Sequence, residues 1–238
     1  MTKRIFSYSS HLLSPALAVW FAAILIGGWG CSRKPDADRS LLTDDPCAAP
    51  CWHNIIPGES NEDDVLRELE NSPYVKSGTL NRGWTMINGI DLTYYSWQGR
   101  DKVLNRVYLQ NDRVLRIELH PNDKLAFGDV VDKFGPPENV YARFPPGGTV
   151  TYLVYLDYPA LGMSFCSFSG PISFKKALAA PGYGVLSEDL LVTSATYFAP
   201  TSLEQMYRRV YLYSDERVEY YMTWKQEWPG FGRVRVAE

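Results

Sequence analysis

The hydrophobic pattern of this chain changes period three times. An apolar run, Pro15 to Ile26, gives way to a charged stretch, and short periodic segments follow. Val65, Leu66 and Leu69 recur at helical spacing, and Glu62, Asp63 and Asp64 place negative charge in the first turn, where the helix dipole is positive. Ser60 is the expected N-cap, with Asp63 as the acid of a shortened capping box, and Asn71-Ser72-Pro73 is the expected stop. The period then falls to two. β-branched and aromatic residues predict strands at Trp84–Ile87, Ile90–Trp97, Val103–Gln110 and Arg113–Leu119, separated by Asn88-Gly89 and Asn111-Asp112 turns. Asn-Gly suits a type I′ hairpin turn, which needs positive φ at both central positions. Alternation through Val103, Arg106, Tyr108 and through Val114, Arg116, Glu118 predicts one buried sheet face and one solvated face.

The pattern then recurs. Phe127 to Phe134 predicts a second short helix, ended by Gly135-Pro136-Pro137, and Val130, Val131 and Phe134 repeat the spacing of Val65, Leu66 and Leu69. Strands are expected at Asn139–Phe144, Val150–Asp157 and Leu161–Phe168, joined by Pro145-Pro146-Gly147-Gly148 and Tyr158-Pro159-Ala160. The expected fold class is α+β, with two degenerate helix-plus-antiparallel-sheet units in tandem at 46–121 and 122–169. A β-rich extension, 170–238, follows. Within it, Leu190–Phe198 reads as a strand, Thr201 or Ser202 as the cap of a short helix through Tyr207, and Val218–Trp224 as a last strand.

Ahead of this folded region, Lys3 and Arg4 precede the apolar run, which closes on Gly27-Gly28-Trp29-Gly30-Cys31. Residues 1–31 fit a bacterial signal segment cut before Cys31, which would then carry lipid. The match to a lipobox is partial, because Gly30 fits while Gly28 replaces Leu and Trp29 is bulky. An uncleaved anchor is a competing reading, although Pro15 to Gly30 is shorter than the ~20 apolar residues that cross the hydrocarbon. Residues 32–45, with Arg33, Lys34, Asp36, Asp38, Arg39, Asp44 and Asp45, read as a tether too polar to fold alone. The expected location is extracytoplasmic and membrane-anchored, in a cell envelope.

Composition narrows the possible functions. With 24 Lys+Arg against 27 Asp+Glu, the chain has no basic excess to bind nucleic acid. Beyond Cys31 the cysteines are Cys47, Cys51 and Cys166, and an exported chain can keep a disulfide. The short Cys47–Cys51 spacing favours a local bridge, with Cys51 to Cys166 as the alternative. Only His53 and His120 remain as histidines after Cys31, too few with these cysteines for an expected metal site. No Gly-x-Ser-x-Gly elbow, His-Glu-x-x-His helix or phosphate-cradling glycine loop is present, so neither a cofactor nor catalysis is expected. Cys166 alternates like a strand residue and reads as a small buried hydrophobe.

Three runs carry a resemblance. Pro50-Cys51-Trp52-His53-Asn54-Ile55-Ile56-Pro57-Gly58, Phe134-Gly135-Pro136-Pro137-Glu138-Asn139-Val140 and Tyr158-Pro159-Ala160-Leu161-Gly162 together resemble a family of uncharacterised bacterial lipoproteins, over about Pro46 to Phe168. More distantly, the helix, Gly-Pro stop and strands are similar to the BamE (SmpA/OmlA) lipoproteins and to the tandem-repeat β-lactamase inhibitor proteins. That resemblance implies a module that binds protein partners or scaffolds an envelope complex, without catalysis. The aromatic residues Trp224, Trp228 and Phe231 are the expected partner-binding candidates, since exposed Trp and Phe give large contact area. Recognition of a glycan or peptide is the second functional reading, and a hydrolase with dispersed catalytic groups, His53 or His120 as base and Cys166 as nucleophile, is the third.

Overall fold

The first helix, α1 (Glu62–Asn71), begins one residue later than the sequence suggested. Its cap is Asn61, whose Oδ1 accepts the Asp64 backbone N–H at 2.9 Å while the Asp64 carboxylate accepts the Asn61 N–H at 3.2 Å. Ser60 instead turns its hydroxyl back to accept the Ile56 N–H at 2.9 Å, which closes the preceding turn. These details come from a computed structural model that describes residues 41–44, 46–99, 103–121, 125–144, 152–168 and 182–237. Cys31, the signal segment, tether residues 32–40 and 45, and the Pro145–Gly148 connection lie outside the described residues.

Strands β1 (Asn81–Ile87), β2 (Ile90–Gln98), β3 (Leu104–Gln110) and β4 (Arg113–Leu119) form the expected meander. Helix α2 (Phe127–Phe134) follows and stops at Gly135, whose φ of 78° only glycine adopts without strain. Next come β5 (Asn139–Arg143), β6 (Leu153–Tyr158), β7 (Met163–Phe168), β8 (Tyr183–Leu186) and β9 (Val192–Phe198). One eight-stranded antiparallel sheet results, in the order β1-β2-β3-β4-β9-β7-β6-β5. The fold is α+β and dominated by this sheet. Strand β9, from the C-terminal region, sits between β4 and β7 and joins the strands that follow α1 to those that follow α2.

Both faces of the sheet are covered over part of their area, which corrects the expectation of one solvated face. On the first face, Tyr95, Trp97, Val107, Ile117, Ala195, Phe165 and Val154 pack beneath α1 and α2 and form the main core. Trp52 stacks on Trp97 with ring centroids 5.3 Å apart, and the tight Trp52–Ile55 turn seats both residues in that core. The Cys47–Cys51 disulfide closes the loop just ahead of this turn, and Cys166 is free and buried.

On the second face lies a helical turn, α3 (Leu203–Gln205), which runs on into a π-helical turn, Met206–Val210, and is followed by helix α4 (Asp215–Thr223). Ser202 caps α3, as the sequence suggested. The strand expected at Val218–Trp224 is helical instead, because Val218 and Tyr221 one turn apart bury together against Tyr141, Phe198, Met206 and Tyr207. Helical periodicity thus prevails over the β-propensity of the local aromatics. A small two-stranded antiparallel sheet of β8 with β10 (Gly232–Arg235) completes the fold. Among the described residues no helix is long and apolar enough to cross a membrane.

The two edges of the large sheet differ. Strand β5 is met by the C-terminal residues: Val140 donates its N–H to the Gln226 carbonyl at 2.9 Å, and Ala237 donates to the Ala142 carbonyl at 2.8 Å. Among the described residues, β1 pairs with β2 alone.

Gly162 shows how tightly the middle of the sheet is assembled. It adopts φ of 73°, and a Cβ there would lie 2.2 Å from the Phe198 carbonyl oxygen, an atom that cannot swing away. Gly162→Ala is expected to cost about 3 kcal/mol of unfolding free energy in urea titration, from positive-φ strain plus displacement of β9. A loss under ~1 kcal/mol would show that the β7–β9 junction yields easily.

Candidate functional site

The second face carries most of the polar chemistry. Asp157 on β6 is fully buried, yet accepts hydrogen bonds from Asn139 Nδ2 at 2.7 Å, Ser164 Oγ at 2.6 Å and Tyr207 Oη at 3.2 Å. Burial pushes its carboxyl above the ordinary range, against the Ser164, Asn139 and Tyr207 hydrogen bonds that favour the charged form. Arg116 on β4 is buried as well. It pairs with Glu118 at 2.8 Å, donates to the Val210 carbonyl and stacks over the Tyr108 ring at 4.3 Å. Each of these groups ties a strand to the α3 segment.

Between them lies a cavity of about 200 Å³ lined by Glu118, His120, Tyr155, Ser164, Cys166, Ser194, Thr196 and Tyr211. It brings together the two residues, His120 and Cys166, that a nucleophile reading would need. His120 Nδ1 is held 2.9 Å from the Thr193 carbonyl oxygen, which fixes it as a donor there. Burial pushes the Cys166 thiol up to about 12, the opposite of an activated nucleophile. Its surroundings are hydroxyls rather than cations, so this cavity is built to be satisfied internally. Among the described residues no group of three or more His, Cys, Asp or Glu is arranged to hold a metal ion.

The sequence-predicted aromatic candidates lie near the C-terminus. Trp228 packs against the main core and meets Phe231 edge-on at 5.1 Å, while Trp224 packs against the second-face cluster with the Arg235 guanidinium 5.8 Å from its ring. All three keep some exposure, and Phe231 keeps the most.

A different surface carries the largest exposed side chains. Trp84 is 76 % exposed and Met86 59 % exposed, two residues apart on β1 and therefore on the same face of the sheet. Beside them opens a cavity of about 440 Å³ lined by Glu62, Trp84, Asp91, Leu92, Thr93, Leu109, Asn111 and Asp112. It lies where the first turn of α1 meets the β1–β2–β3 end of the sheet. The Arg82 guanidinium binds Glu62 at 2.7 Å and the Tyr95 hydroxyl donates to the same carboxylate, and together they hold Glu62 below its ordinary value. Asp112 Oδ1 accepts the Glu62 backbone N–H at 3.0 Å, an anion at a helix start. Glu62, Asp91 and Asp112 thus bring three carboxylates to one opening. Of these three, only Glu62 has an ion-pair partner among the described residues. Sequence reading placed Trp84 at the start of a strand but had no signal for its exposure.

No protein-family model, curated protein or solved structure matches this chain.

Two measurements check these chemical environments. Cys166 in the native protein is expected to resist Ellman's reagent at pH 8, where only ~0.01 % is thiolate, and to react fully in urea; rapid native labelling would show an accessible, activated thiol. Because the native pKa of Asp157 is raised, the folded state holds its proton more tightly than the unfolded chain does. The stability this confers is fully present below the ordinary value of ~4 and is lost as pH rises through the native value. Relative to Asp157→Asn, the parent is therefore expected to lose unfolding free energy as pH climbs from 4. A relative gain over that range would mean the three hydrogen bonds outweigh burial.

Proposed function

We propose that this chain is an extracytoplasmic lipoprotein, anchored through lipid on Cys31, that works by binding a protein partner as a scaffold module of the cell envelope. The observation that carries the proposal is the open β1 edge with Trp84 and Met86 bare upon it, opposite an edge that the chain itself closes at Gln226 and Ala237. Exposed edges are normally blunted, and a large apolar pair left on one marks an interaction surface. The Cys47–Cys51 bridge supports an oxidising compartment.

Helix α1 with β1–β4 and helix α2 with β5–β7 are read as two degenerate copies of one unit, with β9 of the C-terminal extension set between them in the sheet. This agrees with the resemblance to the lipoprotein family and to the tandem-repeat inhibitor proteins, and a continuous sheet of two copies offers a long platform with little chemistry of its own. Binding rather than turnover also fits a protonated Cys166 and a His120 committed to a backbone carbonyl.

A photo-crosslinking residue at position 84 of the full-length protein in its native envelope is expected to trap one discrete protein partner. The same residue at position 168, also exposed, is expected to trap none. Cys31→Ser is expected to move the protein out of the membrane fraction. Equal crosslinking at both positions would sink the binding-surface reading, and an unprocessed, membrane-retained Cys31→Ser would sink the lipid anchor.

A further inference from the structure

The geometry points to a specific mode and partner chemistry for the β1 edge: we infer that it takes up an extended, basic peptide segment as a ninth strand, with a lysine or arginine of that segment reaching the carboxylates beside Trp84. This inference rests on the protein-binding reading and says what is bound and how.

The backbone argument comes from the hairpin register. Asn88 and Gly89 both have positive φ, 49° and 78°, so the β1–β2 connection is a two-residue type I′ turn. Such a turn makes Ile87 and Ile90 a hydrogen-bonded pair, and the pairs alternate from there. Ile87, Thr85, Gly83 and Asn81 therefore direct their N–H and C=O groups to β2. Arg82, Trp84 and Met86 direct theirs outward, to the side that no described strand occupies. Because the register runs unbroken from Asn81 to Ile87, three successive outward residues present a regular ladder for an incoming strand.

The side-chain argument concerns charge. On the same face as Trp84 and Met86 stand Arg82, already bound to Glu62, and, across β1, Asp91 opposite Met86. A strand added outside β1 lies two strand spacings, ~10 Å, from Asp91. That distance is the combined reach of an extended lysine or arginine and an aspartate, laid across the flat surface of Trp84 and Met86. The stem of such a side chain would pack on the Trp84 ring, and its cation would meet Asp91, Asp112 and Glu62 at the cavity of about 440 Å³. Of the nearby positive charges, Arg82 is paired with Glu62, while Arg113 keeps its charge and is held by the Glu59 carbonyl. An acidic segment would face Asp91 and Asp112, neither of which has an ion-pair partner among the described residues, so charge selects the sign of the partner.

The test uses the full chain and two synthetic peptides, one alternating arginine with valine and one alternating glutamate with valine. Binding is followed by fluorescence anisotropy and hydrogen exchange. The basic peptide is expected to bind and to slow amide exchange at residues 82, 84 and 86, while the acidic peptide does not bind. Met86→Pro removes one outward N–H without touching the β1–β2 ladder, and is expected to weaken binding at least tenfold at unchanged melting temperature. Asp91→Asn is expected to weaken it about fivefold and to flatten its salt dependence. Equal binding of both peptides, or undiminished binding to Met86→Pro, overturns strand addition. Amides at 82, 84 and 86 already protected in the free protein also overturn it, since the edge is then occupied by the chain's own N-terminal stretch or by a second copy. Should position 84 still crosslink a partner while the basic peptide fails, this inference falls and the protein-binding reading stands.

Discussion

A single carboxylate with no exposure to water, Asp157, is the constraint on which the arrangement of layers depends. It draws hydrogen bonds from β5, β7 and the α3 segment onto β6, and through Asn139, whose Oδ1 accepts the Gln226 N–H at 3.0 Å, it reaches the C-terminal tail as well. Removing one partner of a fully buried hydrogen-bonded group costs about 1–3 kcal/mol, because the group is left unsatisfied. Replacing the whole set with apolar residues need not cost that much. The set is best understood as specifying where the C-terminal helices sit, and the apolar packing of Tyr141, Phe198, Met206 and Tyr221 then supplies the bulk of their hold. Arg116 does the same work at the other end of that segment, through the Val210 carbonyl.

Sequence reading recovered the elements whose signals are local. Asn88-Gly89 located a hairpin because its backbone demand is met by few dipeptides, and Gly135-Pro136 located the end of α2 for the same reason. What it missed depended on distant partners. Arg116 and Glu118 look like solvent residues until the π-helical turn at Met206–Val210 is placed over them. Residues 215–223 carry the aromatic and β-branched content of a strand, and only the stacking of Tyr213 and Tyr221 with Tyr207 reveals the helix. Strands β8 and β10 are too short to carry a period at all. The candidate site was the least legible part, since strand alternation gives the face on which Trp84 and Met86 stand but not whether another element covers them.

The runs that carry the family resemblance turn out to hold backbone geometry. Gly58 donates its N–H to the Val114 carbonyl from a positive φ, Gly135 ends α2, and Gly162 passes against the Phe198 carbonyl. Trp52 and Ile55 fill the core below them. A resemblance resting on such positions speaks to shape. The residues of the proposed recognition surface, Trp84, Met86, Asp91 and Asp112, lie outside those runs, so a protein sharing this shape would be free to differ there.

The closed β5 edge also limits stoichiometry. A sheet with two bare edges can grow by repeated addition, each newcomer offering a fresh edge to the next, which is the route to fibres. Here Gln226 and Ala237 occupy one end, so the sheet is open to accretion from one direction only. Gln226 and Ala237 therefore cap this sheet at β5, and a second copy adding to the first at β1 would finish a pair rather than begin a filament.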